Sequence, residues 1–350
     1  MSGQPGRDLW SAVSSSAAVL MLLGVASAAV SAVLPQPDPA VLTERDALQG
    51  AALFTKPFTI ADGLGPAFNA VSCASCHGTP RVGGSGTAEH TFVAWSYTDP
   101  GDTLGMPRQR FMTASGGRHR RVHIETGHRR AAPSLFGVGL LEAVSAETLT
   151  AHADPGDLDG DGISGRLPWR DDCYGRFGWQ STVCDIPSFV AGALSNEIGI
   201  DALRRSRPEM SPADLAALAT YVRRLDPPPA ASESGEQMFA AAACDSCHRA
   251  VTGKATVNGQ PVDVRAYTDL LLHEFAGASR HAAEGSRTEF RTPPLWGLSQ
   301  RPGPFLHDGS ARSVRDAILR HGGEAAQSRE LFASLSAADR LRLVQFVTSR

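Results

Sequence analysis

Cysteine is scarce in this chain, with six in 350 residues, and four of the six belong to two copies of one pentapeptide. Neither copy has two further ligands at suitable spacing for a four-coordinate zinc site. A surplus of cations is also missing. Lys and Arg number 33 against 36 Asp and Glu, a net charge of −3, which argues against a nucleic-acid partner. Charge disappears altogether from Leu9 to Pro37. The run Ala17 to Leu34 in that stretch, with Arg7 ahead of it, is too long and too uniformly apolar for a core helix. Residues 1–34 therefore read as a secretory signal, cleaved after Ala28 or Ala32, or as an uncleaved membrane anchor. Either way the rest of the chain is exported, periplasmic or equivalent, and touches a membrane only through this segment. Export permits disulfides and disfavours cytosolic thiol chemistry. Methionine is absent from Arg249 to Arg350, an absence that matters below.

What is present is globular composition, 42% hydrophobic and 20% charged, with room for two or three domains. The 35 Gly and 23 Pro point to many turns rather than a long-helix bundle. The repeated pentapeptide is Cys73-Ala-Ser-Cys76-His77 and Cys244-Asp-Ser-Cys247-His248. Two thiols two residues apart could also form a redox dithiol, but no βαβ pattern surrounds them. CxxC followed directly by His is the attachment signature of c-type haem: the thiols bond the vinyl groups and the next residue places an imidazole under the iron. Two copies imply two covalently bound haems, with Cys73, Cys76, Cys244 and Cys247 as attachment points and His77 and His248 as proximal ligands.

The surroundings repeat as well. Gly50-Ala-Ala-Leu-Phe54 precedes the first copy and Gly235-Glu-Gln-Met-Phe239 the second. Arg129 to Leu140 is matched by Phe290 to Gln300. Each copy closes with an amphipathic helix, Ser211 to Leu225 and Ser336 to Arg350, with Ser as N-cap and Asp at N3. Leu218, Tyr221 and Val222 correspond to Leu343, Phe346 and Val347 at helical spacing, a core stripe. Asp226 to Gly235 is a Pro-rich, then Ser/Gly, linker. The expected fold is mainly α: two cytochrome c-like haem domains in tandem, at 38–227 with an insertion and at 228–350, with loop-rich insertions and the signal or anchor helix ahead of them.

Five stretches, "FNAVSCASCHGTPRVGGSG", "GVGLLEA", "DLDGDGISGR", "FRTPPLWGL" and "GPFLHDGSARSVRDAILRHGGEA", resemble the di-haem oxidoreductase family, related to the bacterial di-haem cytochrome c peroxidases. The resemblance runs from about Gly50 to the C-terminus. It implies a peroxidase-like oxidoreductase, with a reactive haem at His77 and an electron-transfer haem at His248. The alternative is a di-haem electron carrier without catalysis. The implied partners are a small redox protein, as electron donor or acceptor, and peroxide.

For the second iron no Met is available after His248, which leaves His273, His281, His307 and His321. His321 lies where the peroxidases carry their axial ligand after a "PYFHDG"-like motif, here "PFLHDG", so the resemblance implies His248/His321 ligation. For the first iron His90, His119, His123, His128, Met106 and Met112 are all open. Relatives keep a loose distal His after the first CxxCH, and His90 follows the flexible Gly83 to Gly86. The basic run Gly116 to Arg130 is either a source of arginines for haem propionates or a solvated loop. Relatives use a first-domain Glu as acid–base group, which here suggests Glu142, with Glu147 second. Asp157, Asp159 and Asp161 alternate before Gly162 as in a calcium loop, although Pro168 stands where an EF-hand has Glu. Relatives hold calcium between their haem domains. Cys173 and Cys184, eleven apart, are a disulfide or two buried thiols. Trp95, Trp169, Trp179 and Trp296 are candidates for a position between haems, with core packing the default for each.

Overall fold

The computed structural model describes residues 43–86, 92–96, 106–108, 111–113, 119–121, 128–170, 172–202, 209–229, 234–257, 259–275 and 288–350. The N-terminal segment, His90, His123 and His281 lie outside the described residues, as do the side chains of Trp95, Met106 and His128. Among the described residues no helix is long and apolar enough to cross a membrane.

Helices supply most of the regular structure: α1 (Glu44–Thr55), α2 (Cys73–Cys76), α3 (Val138–Glu142), α4 (Ala146–His152), α5 (Ile186–Ala193), α6 (Pro212–Arg223), α7 (Glu236–Ala241), α8 (Val314–Leu319), α9 (Ala326–Ser334) and α10 (Ala337–Thr348). A single π turn, Leu194–Ile198, continues α5. The strands are two to five residues long, and every pairing among the described residues is antiparallel. Residues 37–350 form one compact unit.

The helix ends obey local rules. Thr43 and Asp46 make a reciprocal capping box at α1. Ser211 and Ser336 accept the N–H groups of Asp214 and Asp339, both at 3.1 Å, and so cap α6 and α10 as their sequences require.

The sequence repeat has a spatial counterpart. α1 crosses α6 at Gly50, where an added Cβ would stand 2.0 Å from the Ala217 carbonyl oxygen and 2.7 Å from Tyr221 Cβ. α7 meets α10 at Gly235, where an added Cβ would stand 2.8 Å from Phe346 Cβ. Phe54 packs 5.2 Å from Tyr221 and 6.4 Å from His77, ring to ring, while Phe239 packs 5.3 Å from Phe346 and 6.5 Å from His248. Gly137 donates its N–H to the Leu225 carbonyl at the end of α6, and Gly297 donates to Arg350 at the end of α10. Both glycines have positive φ, +77° and +69°, which only Gly adopts without strain.

Each pair of helices anchors a core. One gathers Phe54, Phe68, Leu135, Phe136, Ile186, Leu194 and Leu218; the other gathers Phe239, Tyr267, Leu295, Phe332, Leu343 and Phe346. A third, smaller core joins Leu141, Val144 and Leu149 from one half of the sequence to Ala255, Val264 and Leu270 from the other.

The crossing at Gly50 gives a direct test. Gly50→Ala gains helix propensity of up to ~1 kcal/mol. It also drives a methyl group into the backbone of α6, an overpacking cost of about 1–3 kcal/mol or more. We expect a net loss of stability of roughly 1–2 kcal/mol, read as a lowered denaturant midpoint with unchanged slope.

Candidate di-haem site

Both CxxCH units open on one cavity of about 700 Å³. Ser72 caps α2 by accepting the Ser75 N–H, which turns Cys73, Cys76 and His77 onto the cavity wall. A 3-10 turn, Cys244–Ser246, does the same for Cys244, Cys247 and His248. The rest of the wall is mostly apolar, with Leu135, Phe136, Val190, Leu218, Leu295 and Leu343 among its residues.

The imidazoles are held in a particular way. His77 Nδ1 lies 3.1 Å from the carbonyl oxygens of both Gly84 and Pro133. His248 Nδ1 lies 2.8 Å from the Tyr267 carbonyl, and His321 Nδ1 lies 2.8 Å from that of Ala317. A carbonyl only accepts, so Nδ1 carries the proton in each ring and Nε2 keeps its lone pair. Burial pushes all three pKa values down, His248 to about 4. Neutral imidazole with a free Nε2 is the form that binds a metal, and a carbonyl behind Nδ1–H fixes ring orientation. His321 is close enough to His248 to contribute to the depression of its pKa. It lines the same cavity at the end of α8.

The thiols are not poised as thiolates. Burial pushes Cys73 and Cys244 up to about 12 and raises Cys247. A redox dithiol or a cysteine-based metal site needs the opposite shift. Thiols buried beside an apolar cavity, each pair followed by a neutral His, suit a flat, apolar macrocycle with an iron at its centre.

Other predicted residues are distributed unevenly. Met112 is 42% exposed and His119 packs edge-on against Phe68 at 4.9 Å; neither lines the cavity. Glu142 does not line it either. Arg223 donates to its two oxygens from Nε and Nη2, at 2.6 and 3.1 Å, and Ile186 N–H donates to one at 2.8 Å. Glu142 thus ties α3 to α6 and to the start of α5. Glu147 sits in the first turn of α4, where its own backbone N–H and then the hydroxyl of the N-cap Ser145 lower its pKa.

Asp157, Asp159 and Asp161 bring carboxylate oxygens within 4.8 Å of one another. Cys173 and Cys184 are disulfide-bonded. Trp169 is 57% exposed against Tyr174, whereas Trp179 and Trp296 line the cavity. Trp179 donates its indole N–H to the Ala131 carbonyl at 3.0 Å and packs edge-on against buried His307. His307 in turn stacks on Phe290 at 3.6 Å.

Glu197 is a residue that sequence reasoning missed. It lies in the π turn Leu194–Ile198 and lines the cavity. Its Oε2 accepts from Asn69 Nδ2 at 2.6 Å, and its backbone carbonyl accepts the N–H groups of Asn69 and Ala70. Asn69 is buried and four residues ahead of Cys73, so Glu197 stands at the first CxxCH. The other carboxylates on the wall are Glu324 and the more exposed Glu274, both beside the second. A π turn is rare and often marks a functional position, but nothing in a linear pattern announces one.

Beside the second CxxCH is a buried charge cluster. His273 places Nε2 2.8 Å from Asp269 and Nδ1 2.8 Å from Glu324. Burial opposes the charge on His273, but bonds to Asp269, Cys247 and Glu324 prevail and lift its pKa to about 12. Burial likewise works against ionised Glu324, yet His273, the Glu274 N–H, Ser164 and Arg166 bring it down to about 2. The contribution of His273 is complete below its ordinary value of 6.5 and fades as pH rises toward 12. That of Glu324 is complete above 4.5 and fades as pH falls toward 2. Stability should therefore fall above about pH 6.5 with a slope from His273 of up to about 1.4 kcal/mol per pH unit. His273→Gln should remove that slope, measured by urea unfolding at pH 6, 7 and 8; an unchanged slope would refute the assignment.

Residues 216–350 match the family model described as "Di-haem oxidoreductase, putative peroxidase", so this stretch is similar to that family. Comparison with curated proteins gives no match. Among solved structures, the chain is similar to a Kuenenia stuttgartiensis hydrazine synthase chain, at 15% identity and TM-score 0.41, covering 99% of this chain and 100% of that one. It is also similar to a MauG-like protein associated with microbial copper homeostasis, at 17% identity and TM-score 0.43, covering 90% of each chain.

Proposed function

We propose that the chain is an exported di-haem c-type oxidoreductase with peroxidase-like chemistry, reactive at the His77 haem and passing electrons through the His248 haem. The observation that carries this reading is one apolar cavity lined by both CxxCH units, each with a neutral imidazole whose Nδ1–H is tied to a backbone carbonyl. Cys73 and Cys76 would attach one haem and Cys244 and Cys247 the other, with His77 and His248 as proximal ligands. His321 offers a free Nε2 near His248 and would be a second protein ligand to the same haem iron. Bound there, haem supplies one-electron redox chemistry and, at an open iron position, a site for peroxide.

The chain's own part is to hold and move a proton beside that open position. Glu197 is the carboxylate for this, because it lines the cavity next to the first CxxCH. The Asn69 amide donates to one carboxylate oxygen and fixes its direction. Glu142, held by Arg223 and the Ile186 N–H, acts in structure instead. The apolar wall keeps water out and strengthens each polar contact inside it. Asp157, Asp159 and Asp161 would hold a calcium ion. A small redox protein is the electron partner, and the N-terminal segment directs export to the periplasm or its equivalent.

A pyridine haemochrome assay should give two haems per chain. Electron paramagnetic resonance of oxidised and half-reduced protein should show a high-spin fraction at one haem; two low-spin irons in every redox state would make the chain an electron carrier. His321→Ala should convert the second haem from low to high spin with attachment intact, and an unchanged spectrum would move the ligand elsewhere. Glu197→Gln should slow the reaction with peroxide by at least about tenfold, the low end of general acid–base effects. Glu142→Gln should leave that rate within about twofold and cost stability instead, on the order of 1–3 kcal/mol, because Arg223 loses its counter-charge. The opposite pattern would return the acid–base role to Glu142.

A further inference from the structure

Two guanidinium groups on the cavity wall make no close ion pair among the described residues, although the charge of Asp269 acts on Arg291 from farther off. Arg291 ends the strand Glu289–Arg291 and is buried; its Nε donates to the Gly178 carbonyl at 3.2 Å and its Nη1 to the Thr292 carbonyl at 3.1 Å. Arg301 follows the 3-10 turn Leu298–Gln300. It donates from Nη2 to the Pro304 carbonyl at 2.6 Å and lies over the Phe305 ring, 5.3 Å from its centroid. Its Nε is buried and has no acceptor. Both residues line the cavity, and neither makes an ion pair among the described residues.

Carbonyl oxygens satisfy N–H groups but do not neutralise a full charge. Burial pulls both guanidiniums down to about 10, against the opposing pull of Asp269 at Arg291, which still leaves them cationic at neutral pH. A charge out of water is costly unless it is paired. Arg166 and Arg223 meet this demand with Glu324 and Glu142. Arg291 and Arg301 point to an anion that enters with whatever fills the cavity. That occupant needs an apolar body for the apolar wall and at least two carboxylates for the two arginines. A porphyrin carrying two propionates has this shape.

We propose that Arg291 and Arg301 pair with haem propionates, Arg301 with the haem at Cys244 and Cys247 and Arg291 with a propionate at the edge facing Trp179. This rests on the di-haem reading. Arg301 goes to the second haem because the turn ahead of it packs through Leu298 on the core of Phe239 and Phe346. Arg291 goes to the Trp179 edge because its N–H donates to the Trp179 carbonyl at 2.7 Å, beside its own bond to Gly178. The planar guanidinium fork suits a carboxylate in two-point contact. A fixed positive charge there favours the ferrous haem, which carries one positive charge fewer than the ferric.

The test uses the full-length holoprotein. Haem content by pyridine haemochrome comes first: a wild type without two haems defeats the di-haem reading itself. With two haems present, Arg301→Met should lower the midpoint potential of the second haem by about 59 mV, a tenfold shift of its ferric/ferrous equilibrium. The first haem should stay unchanged. Arg301→Lys, which keeps the charge, should recover at least half of the shift. Arg291→Met should lower a midpoint to a similar extent. Unshifted midpoints in both Met variants, with both haems loaded, would overturn the proposal. A crystal structure of the wild-type holoprotein decides the matter even if a variant fails to load haem. A propionate oxygen within hydrogen-bond distance of each guanidinium supports the pairing; propionates directed to other cations or to solvent defeat it.

Discussion

A backbone carbonyl behind the Nδ1–H of an imidazole is the contact on which this site depends. It selects the tautomer, aims the ring and leaves Nε2 as the available nitrogen. His77, His248 and His321 are all held this way, by carbonyls of Gly84 and Pro133, of Tyr267, and of Ala317. Burial keeps the rings neutral, so the lone pairs are not lost to protonation. Three such histidines on one apolar wall share the tautomer and charge state that suit a metal.

The carbonyls are in place because the helices behind them are. Pro133 lies four residues before Gly137, whose N–H is fastened to the end of α6; α6 in turn is set by its close crossing with α1 at Gly50. The second half repeats the scheme with Gly297, α10 and Gly235. The repeat is not strict, since His248 takes its carbonyl from Tyr267 rather than from the segment that matches Pro133. Phe54 and Phe239 stand in equivalent places, each between a histidine and the aromatic of a closing helix.

Polar groups on so apolar a wall are few and specialised. The low local dielectric makes each partner count for more and each missing partner cost more. His273 is charged because two carboxylates close on it, and Glu142 is held by a guanidinium and a backbone N–H. Arg291 and Arg301 have carbonyls as their hydrogen-bond acceptors and no close ion pair among the described residues, and Glu197 faces the cavity from a π turn with Asn69 behind it. These contrasts separate groups that complete the fold from groups suited to an incoming partner.

Much of this was legible in the linear pattern. The CxxCH units, the Ser-capped closing helices and the matched glycine–aromatic pairs depend on spacings of a few residues, where local geometry leaves little freedom. His321 was legible as a candidate through the resemblance of "PFLHDG" to the peroxidase motif and the absence of Met after His248. Glu142 was suggested by the first-domain Glu of relatives, but its partner Arg223 lies 81 residues away and could not be read from the linear pattern. Glu197 was invisible, because its direction comes from a π turn and from Asn69, 128 residues earlier. That Arg291 and Arg301 make no close ion pair among the described residues was equally hidden, since pairing is a property of surroundings. The sequence by itself determined which thiols and imidazoles are the candidates for attachment and ligation, because that pattern is written in short spacings. Only the tertiary structure decided which charged groups meet a partner and which face the cavity, because burial and long-range pairing exist only once the chain has closed on itself.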